Sequence, residues 1–317
     1  MKAMAKSGKH KKFSLAHERK AAIMFYWILT PIVAFSVFLT FLSSYKAYPY
    51  PSSYLLLFCA AIQISGWAIG LAAAKKMKQR TLELLAKNRK IREMQERLIM
   101  SVADLVESKD SFTGQHVQRT ARYVESICNK MLEMGAYPDE LNEHTAAVMK
   151  KAAPLHDMGK IKISPSILEK PGKLNDEEFA IIKMHPIWGE EIIKKTFAGI
   201  EDEEFTKCAL DMALTHHEKW DGSGYPRHLK ETQIPLCGRI MAAADVLDAL
   251  LTVRPYKRAF TIDETMNIFA DNAGKQFDPL VAEAVLEIED KITMIQLDTM
   301  NDYTIKEAQR EDRGEPR

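Results

Sequence analysis

Two stretches of this chain carry no charge, and they dictate how its first quarter can fold. Ala21 to Ser44 and Tyr54 to Ala74 are uncharged in a sequence that is 27% Asp, Glu, Lys and Arg. Each is close to the roughly 20 apolar residues that a helix needs to cross a bilayer. The first is too long for a signal-peptide core, and no small-residue cleavage site follows it. The alternative, a buried pair of helices in a water-soluble fold, would rarely avoid charge for so long. The connector Tyr45 to Ser53 has Lys46 as its only charge and is too short to be a sensory domain. Lys2, Lys6, Lys9, Lys11, Lys12, Arg19 and Lys20 precede the first stretch, and Lys75, Lys76, Lys78 and Arg80 follow the second. The positive-inside rule then puts both ends in the cytoplasm, with Tyr48, Tyr50 and Tyr54 at the outer interface. The expectation is a basic N-terminus over 1–20, transmembrane helices over 21–44 and 54–74, and a multi-pass protein of the cell membrane whose remaining residues are cytoplasmic. The lipid bilayer is one expected partner, since the lysine-rich start suits anionic headgroups. Gly66 and Gly70 have the spacing that brings membrane helices together, a common motif that decides little by itself.

The next segment repeats every seven residues. Met77, Leu84, Ile91, Leu98 and Leu105 form a heptad seam among Lys, Arg and Glu, the signature of a left-handed coiled coil. The companion positions Thr81, Asn88 and Gln95 are polar before Val102, so such a coil is marginal alone. Residues 75–106 read as a dimerising signalling helix, hence an expected homodimer. The bland alternative is an amphipathic linker lying on its own domain.

Beyond it the pattern is helical, and the fold class expected is all-α. Helices are expected over Gln115–Met134, Pro138–Leu155, Asp176–Lys183, Pro186–Lys194, Glu203–Thr215, Gly238–Thr252, Ile262–Asn272 and Pro279–Glu289, with Asn175 and Thr261 as N-caps. No long alternating run calls for a sheet, although the loop around Tyr225 has room for a small hairpin. Residues 291–317 read as a C-terminal tail, frayed from Arg310 to Arg317. Cys59, Cys128, Cys208 and Cys237 form no C-x-x-C pair, and no disulfide is expected. A net charge of +1 gives no nucleic-acid signature, so a nucleic acid polymer is not an expected partner.

Histidines recur at stations along this second half: His116, His156-Asp157, His185 and His216-His217, followed by Asp245. Each alone is more often a satisfied core or surface residue than a ligand. Together they supply what a pair of transition-metal ions needs. Imidazole and carboxylate donors suit zinc, iron, manganese or nickel, and the absence of thiolate disfavours a structural zinc site. Adjacent residues on a helix point about 100° apart, so one packed face cannot hold both His216 and His217. After them, Glu218 to Pro226 contains Gly222, Gly224 and a terminal Pro. It is either a surface turn or a rigid loop walling a pocket.

His156-Asp157-Met158-Gly159-Lys160, His216-His217-Glu218 and Asp221-Gly222-Ser223-Gly224-Tyr225-Pro226 resemble the HD-GYP family. Ala244 to Ala249, Arg254-Pro255-Tyr256-Lys257 and Gly274 to Pro279 extend the resemblance, which covers Glu107 to Ile288. The resemblance implies an HD-domain helical bundle with a Gly-Tyr-Pro loop over 107–290, and a metal-dependent phosphodiesterase cutting cyclic di-GMP to pGpG or GMP. It implies metal ligation by His116, His156, Asp157, His185, His216, His217 and Asp245, with Asp157 bridging two ions, iron or manganese. It implies substrate binding by Lys160, Arg254, Lys257 and Tyr225. Some members carry Glu four residues before the first ligand histidine and hold a third metal; Phe112 stands there, so two ions are expected.

The chemistry also follows from the residues. A phosphodiester resists hydrolysis because its anionic oxygens repel nucleophiles and its alkoxide leaves poorly. Two metals roughly 3.5–4 Å apart address both, generating hydroxide near neutral pH and neutralising the phosphate. Asp157 can give one oxygen to each ion, and Lys160 can stabilise the transition state as a catalytic cation or merely sit at a helix end. Asp248 can orient a ligand, and Trp220 can pack under the loop. Two other functions compete with cyclic di-GMP hydrolysis: a non-catalytic nucleotide receptor of the same fold, and a hydrolase of another nucleotide.

Overall fold

The computed structural model describes residues 33, 35–41, 52–107, 115–170, 172–199, 202–253 and 258–299, with the backbone only at 52–56 and 59. The chain divides into two compact units, Met1–Lys90 and Ile91–Arg317.

In the first unit, residues 35–41 are helical, and helix α1 (Ser52–Glu107) runs for 56 residues, of which 52–90 belong to this unit and 91–107 to the second. Expected span and expected linker helix are thus one element. No Gly or Pro interrupts the sequence after Gly70, and Ala, Leu, Lys, Glu, Arg and Gln dominate it, all strong helix formers. Among the described residues no helix is long and apolar enough to cross a membrane. The expected two-helix transmembrane hairpin is therefore not found among them: most of 21–44 lies outside the described residues, and 54–74 is the N-terminal part of α1. Phe35, Phe38, Phe41, Leu57, Trp67 and Ile69 nevertheless point outward, Phe35 61% and Trp67 57% exposed. The seam residues Met77, Leu84, Ile91, Leu98 and Leu105 are exposed as well.

The second unit is a bundle of helices: α2 (His116–Glu133), α3 (Glu143–Ala152), α4 (Pro165–Leu168), α5 (Asp176–Ile182), α6 (His185–Thr196), α7 (Glu203–Thr215), α8 (Leu236–Leu251), α9 (Ile262–Asn272) and α10 (Pro279–Leu286). Residues 289–299 are helical too. The expected all-α class holds among the described residues. The last turns of α1 contribute buried Ala103 and Val106 to this unit. Helix α8 is the axis of the core. Ile240, Met241, Ala243, Ala244 and Leu247 are fully buried, as a helix apolar on nearly every face must be. Against it packs the apolar stripe of α2 (Val117, Ala121, Val124, Cys128, Met131), while α7 lies against α3, α6 and α8. Cys128, Cys208 and Cys237 are buried free thiols.

Asn175 and Thr261 cap α5 and α9, each in a reciprocal capping box with the Glu three residues on. The expected helix over Pro138–Leu155 is shorter. Asn142 accepts from His144 N and Thr145 N and so starts α3 at Glu143, and Ala153–Leu155 tightens into a 3-10 turn at Pro154. The hairpin allowed for the Tyr225 loop does not form. The loop's amides are drawn elsewhere: Trp220 N and Asp221 N bond the carbonyls of Gln276 and Lys275, and Glu231 N that of Trp220. The parallel bridge Ala273–Phe277 is isolated.

Candidate metal centre

Four short pieces of chain deliver the stations to one point. His116 opens α2, His156 and Asp157 lie between two 3-10 turns, His185 opens α6, and His216 terminates α7 with His217 just beyond. Two groups of potential ligands result, Asp157–His185–His216–His217 and His116–His156–Asp157, each with donor atoms within 4.8 Å of one another. Asp157 belongs to both. Its Oδ1 lies 3.2 Å from His185 Nε2 and 3.5 Å from His216 Nε2, and its Oδ2 lies 3.2 Å from His156 Nε2.

The imidazoles are held from behind. His156 Nδ1 donates to the Ala153 carbonyl (2.8 Å), His185 Nδ1 to Ile182 O (2.6 Å) and His216 Nδ1 to Met212 O (3.0 Å). A carbonyl only accepts, so each Nδ1 must carry a proton, and it is Nε2 that faces the centre and presents a lone pair there once it is deprotonated. His116 reaches the same state differently: its Nδ1 is 2.7 Å from Asp248 Oδ2, and Arg119 clamps that carboxylate through Nε (2.5 Å) and Nη2 (3.0 Å). All four rings are buried. His217 instead stacks on Tyr225, centroids 4.7 Å apart at 24°.

Electrostatics agree with a site built for cations. Burial works to raise the Asp157 carboxyl, but the Lys160 ammonium 2.8 Å away and His156 hold it well below the usual carboxylate range. Burial would lower His156, yet the Asp157 charge lifts it to about 9. His216 and His217 are lowered, His217 strongly, chiefly by burial. Asp248 is lowered: burial opposes, but its bonds to His116 and Arg119 outweigh it. His156 Nε2 and Asp157 Oδ1 are buried without a hydrogen-bond partner. Orphaned buried acceptors are costly and rare. Lone pairs converging on an unsatisfied carboxylate oxygen are the arrangement a divalent cation completes, so the donor set fits the metals expected of it.

Tight contacts fix the pieces. A Cβ on Gly159 would lie 1.9 Å from the His185 carbonyl oxygen and 2.6 Å from Gly189 N, and one on Gly224 would lie 2.4 Å from Lys219 N. The buried Glu218 carboxylate accepts from Arg227 N (2.7 Å) and Leu229 N (3.1 Å), shaping the loop that carries Tyr225 and the cis bond to Pro226. Arg239 Cζ lies 5.8 Å from the Trp220 ring centroid, and Nη1 is 2.6 Å from Asp278 Oδ2.

Seven sequence candidates meet here: His116, His156, Asp157, Lys160, His185, His216 and His217. Asp245 lies beside them, Oδ1 3.6 Å from His116 Nε2 and partly exposed, outside both 4.8 Å groups. Tyr225 touches the centre through His217. Arg254, Lys257 and Phe112 lie outside the described residues. Sequence reasoning missed Arg119, although it sits three residues after His116, where side chains share a helix face. It also missed the buried carboxylate of Glu218, which pattern cannot separate from a surface acid, and Glu107, buried with Oε2 3.8 Å from Lys160 Nζ.

Residues 100–281 match the family model described as "HD domain". Over 197 residues the chain is 44% identical to a Vibrio cholerae protein named cyclic di-GMP phosphodiesterase, covering 62% of this chain and 40% of that one. It is 40% identical over 206 residues to a Vibrio cholerae 3'3'-cGAMP-specific phosphodiesterase, covering 65% and 37%. A cyclic di-GMP phosphodiesterase of Thermotoga maritima is 41% identical over 189 residues, covering 60% and 48%. The chain thus spans less than half the length of each of these relatives.

Proposed function

We propose, from the premise that the chain belongs to the HD-domain family, that it is a metal-dependent phosphodiesterase of the HD-GYP type that hydrolyses cyclic di-GMP to pGpG or GMP. The observation that carries this reading is Asp157, buried, ionised and shared between two sets of imidazole lone pairs. His185, His216 and His217 would hold one divalent ion and His116 and His156 the other, with Asp157 between them and Asp245 close to His116; iron or manganese suits these donors. Bound there, such ions supply Lewis-acid neutralisation of the phosphate and acidify water.

The chain's own residues do the rest. Lys160 is anchored by Asp157 and places an ammonium where a non-bridging phosphate oxygen gains negative charge. Asp248 and Arg119 keep the His116 ring in one tautomer and orientation. Burial raises the Tyr225 phenol, which therefore stays neutral and offers a flat face and a donor at the mouth. Arg254 and Lys257 supply further phosphate contacts in this reading.

The relatives' names favour a specific second substrate, 3'3'-cGAMP, since nothing described distinguishes guanine from adenine. The test incubates the full chain with Mn(II) or Fe(II) and each cyclic dinucleotide and resolves products by chromatography. Turnover of cyclic di-GMP is expected. Metal loading and nucleotide binding without turnover would establish a receptor instead.

The outward-facing apolar residues of 35–41 and of the start of α1 support attachment to a cell membrane, with the charge-free runs as anchor and the bundle on the cytoplasmic side. The exposed heptad seam of α1 supports a homodimer through 75–106. Carbonate extraction of membranes and crosslinking at Leu84 test the two.

A further inference from the structure

Resting on the cyclic dinucleotide reading, we infer that the end of α5, through Phe179 and Lys183, forms the outer substrate subsite and that Lys183 grips the phosphate that is not being cut. A cyclic dinucleotide carries two phosphodiesters on opposite sides of its ring. Only one can occupy the centre at Asp157, so the other faces the rim, where a cation beyond those at the centre can meet its charge.

Most of the lysines from Lys160 up to Lys183 are committed. Lys160 pairs with Asp157, Lys162 with Glu191 and Lys170 with Glu178. Among the described residues no carboxylate pairs with Lys183. Its Nζ instead lies 4.7 Å from the Phe179 ring centroid and 5.6 Å from that of Tyr225. Tyr225 in turn stacks on His217, so the ammonium stands one ring away from the ligand cluster. The position is fixed by the backbone: Lys183 N bonds Phe179 O at 3.0 Å, and His185 follows two residues later.

A helix-end preference explains a lysine at this position but not an ammonium turned between two aromatic rings. Phe179 is 44% exposed, an unusual setting for a phenylalanine beside a buried centre. An exposed aromatic face next to an unpaired cation is what a base and its phosphate require, stacking for one and charge for the other.

The test uses the full chain loaded with Mn(II), cyclic di-GMP as the probe, and bis(4-nitrophenyl) phosphate as a substrate with one phosphate. Lys183→Met keeps the aliphatic contact with both rings and removes only the charge. It is expected to raise KM for cyclic di-GMP about tenfold, the scale of one charge-assisted phosphate contact, with kcat nearly unchanged. Lys183→Arg should restore KM, Phe179→Ala should raise it, and cleavage of the single-phosphate substrate should be untouched by all three. A Met variant equal to the wild type toward cyclic di-GMP overturns the inference while leaving the phosphodiesterase reading intact. Equal losses on both substrates overturn it too, since they mean a structural role. Wild-type protein that processes no cyclic dinucleotide removes the phosphodiesterase reading, and this inference with it.

Discussion

The two halves of the centre share Asp157 but are built on different supports. On one side, His185 and His216 lean on backbone carbonyls, and His156 on the other side does the same. These supports come with the helix ends themselves and cannot be mutated away. His116 alone depends on a side-chain relay, Asp248 and then Arg119. A backbone carbonyl fixes a tautomer without adding charge. A carboxylate does so while making the imidazole a stronger donor. The difference teaches that an ion in one half would be held by fold geometry, whereas affinity for an ion in the other could be tuned by single substitutions.

The largest break in that comparison is the shared residue. Asp157→Ala should empty both halves and cut turnover by at least about a thousandfold, as loss of metal chemistry implies; metal per chain by elemental analysis and product formation check it. Substantial remaining turnover would show that the halves do not depend on a common oxygen. Next comes Gly159→Ala. Its methyl group would press on the His185 carbonyl and Gly189 N, so His185 must shift. Overpacking of this kind costs roughly 1–3 kcal/mol, and here it acts on one half. A lower Tm and loss of one metal per chain are expected, with the other ion retained.

Asp248→Asn sharpens the comparison from the opposite side. The substitution keeps the shape and removes the charge between His116 and Arg119, leaving the guanidinium buried without its counter-charge. Metal affinity should fall about 10- to 100-fold in the His116 half only, the usual cost of an outer-shell change. A metal titration of the variant should show one weakened step and one unchanged. Two weakened steps would mean that the halves are coupled through Asp157 more strongly than their separate supports suggest.

Much of this was legible in the sequence, for reasons that differ by residue. Helix limits such as Asp176 and Ile262–Asn272 followed from caps and periodicity, because Asn175 and Thr261 act through local bonds. The ligand set was visible because imidazole and carboxylate in that order have few other uses. Convergence was not visible: that Asp157 is the common member depends on how α6 and α7 dock, a tertiary fact. Arg119 and Glu218 were hidden because a buried charge satisfied by distant partners looks like any surface charge in one dimension. The apolar N-terminal runs were clear as composition. Yet the second proved to be the beginning of α1 rather than an element of its own, since nothing after Gly70 stops a helix.

The smallest expected effect concerns how the Tyr225 loop meets the His217 side. Two roles are mixed in that tyrosine: its ring stacks on His217, and its hydroxyl is the donor assigned above to substrate. Tyr225→Phe keeps the ring and the 24° stack, so metal content should not change, and any rise in KM for a cyclic dinucleotide reports the hydroxyl alone, about two- to fivefold for one neutral hydrogen bond. Tyr225→Leu fills similar space without a π face and should loosen His217 as well. If Phe lowered metal content as much as Leu, the hydroxyl would be supporting the centre itself. The loop would then be part of the ion-binding shell, and the contrast between carbonyl-held and carboxylate-held imidazoles would need a third, phenol-held member.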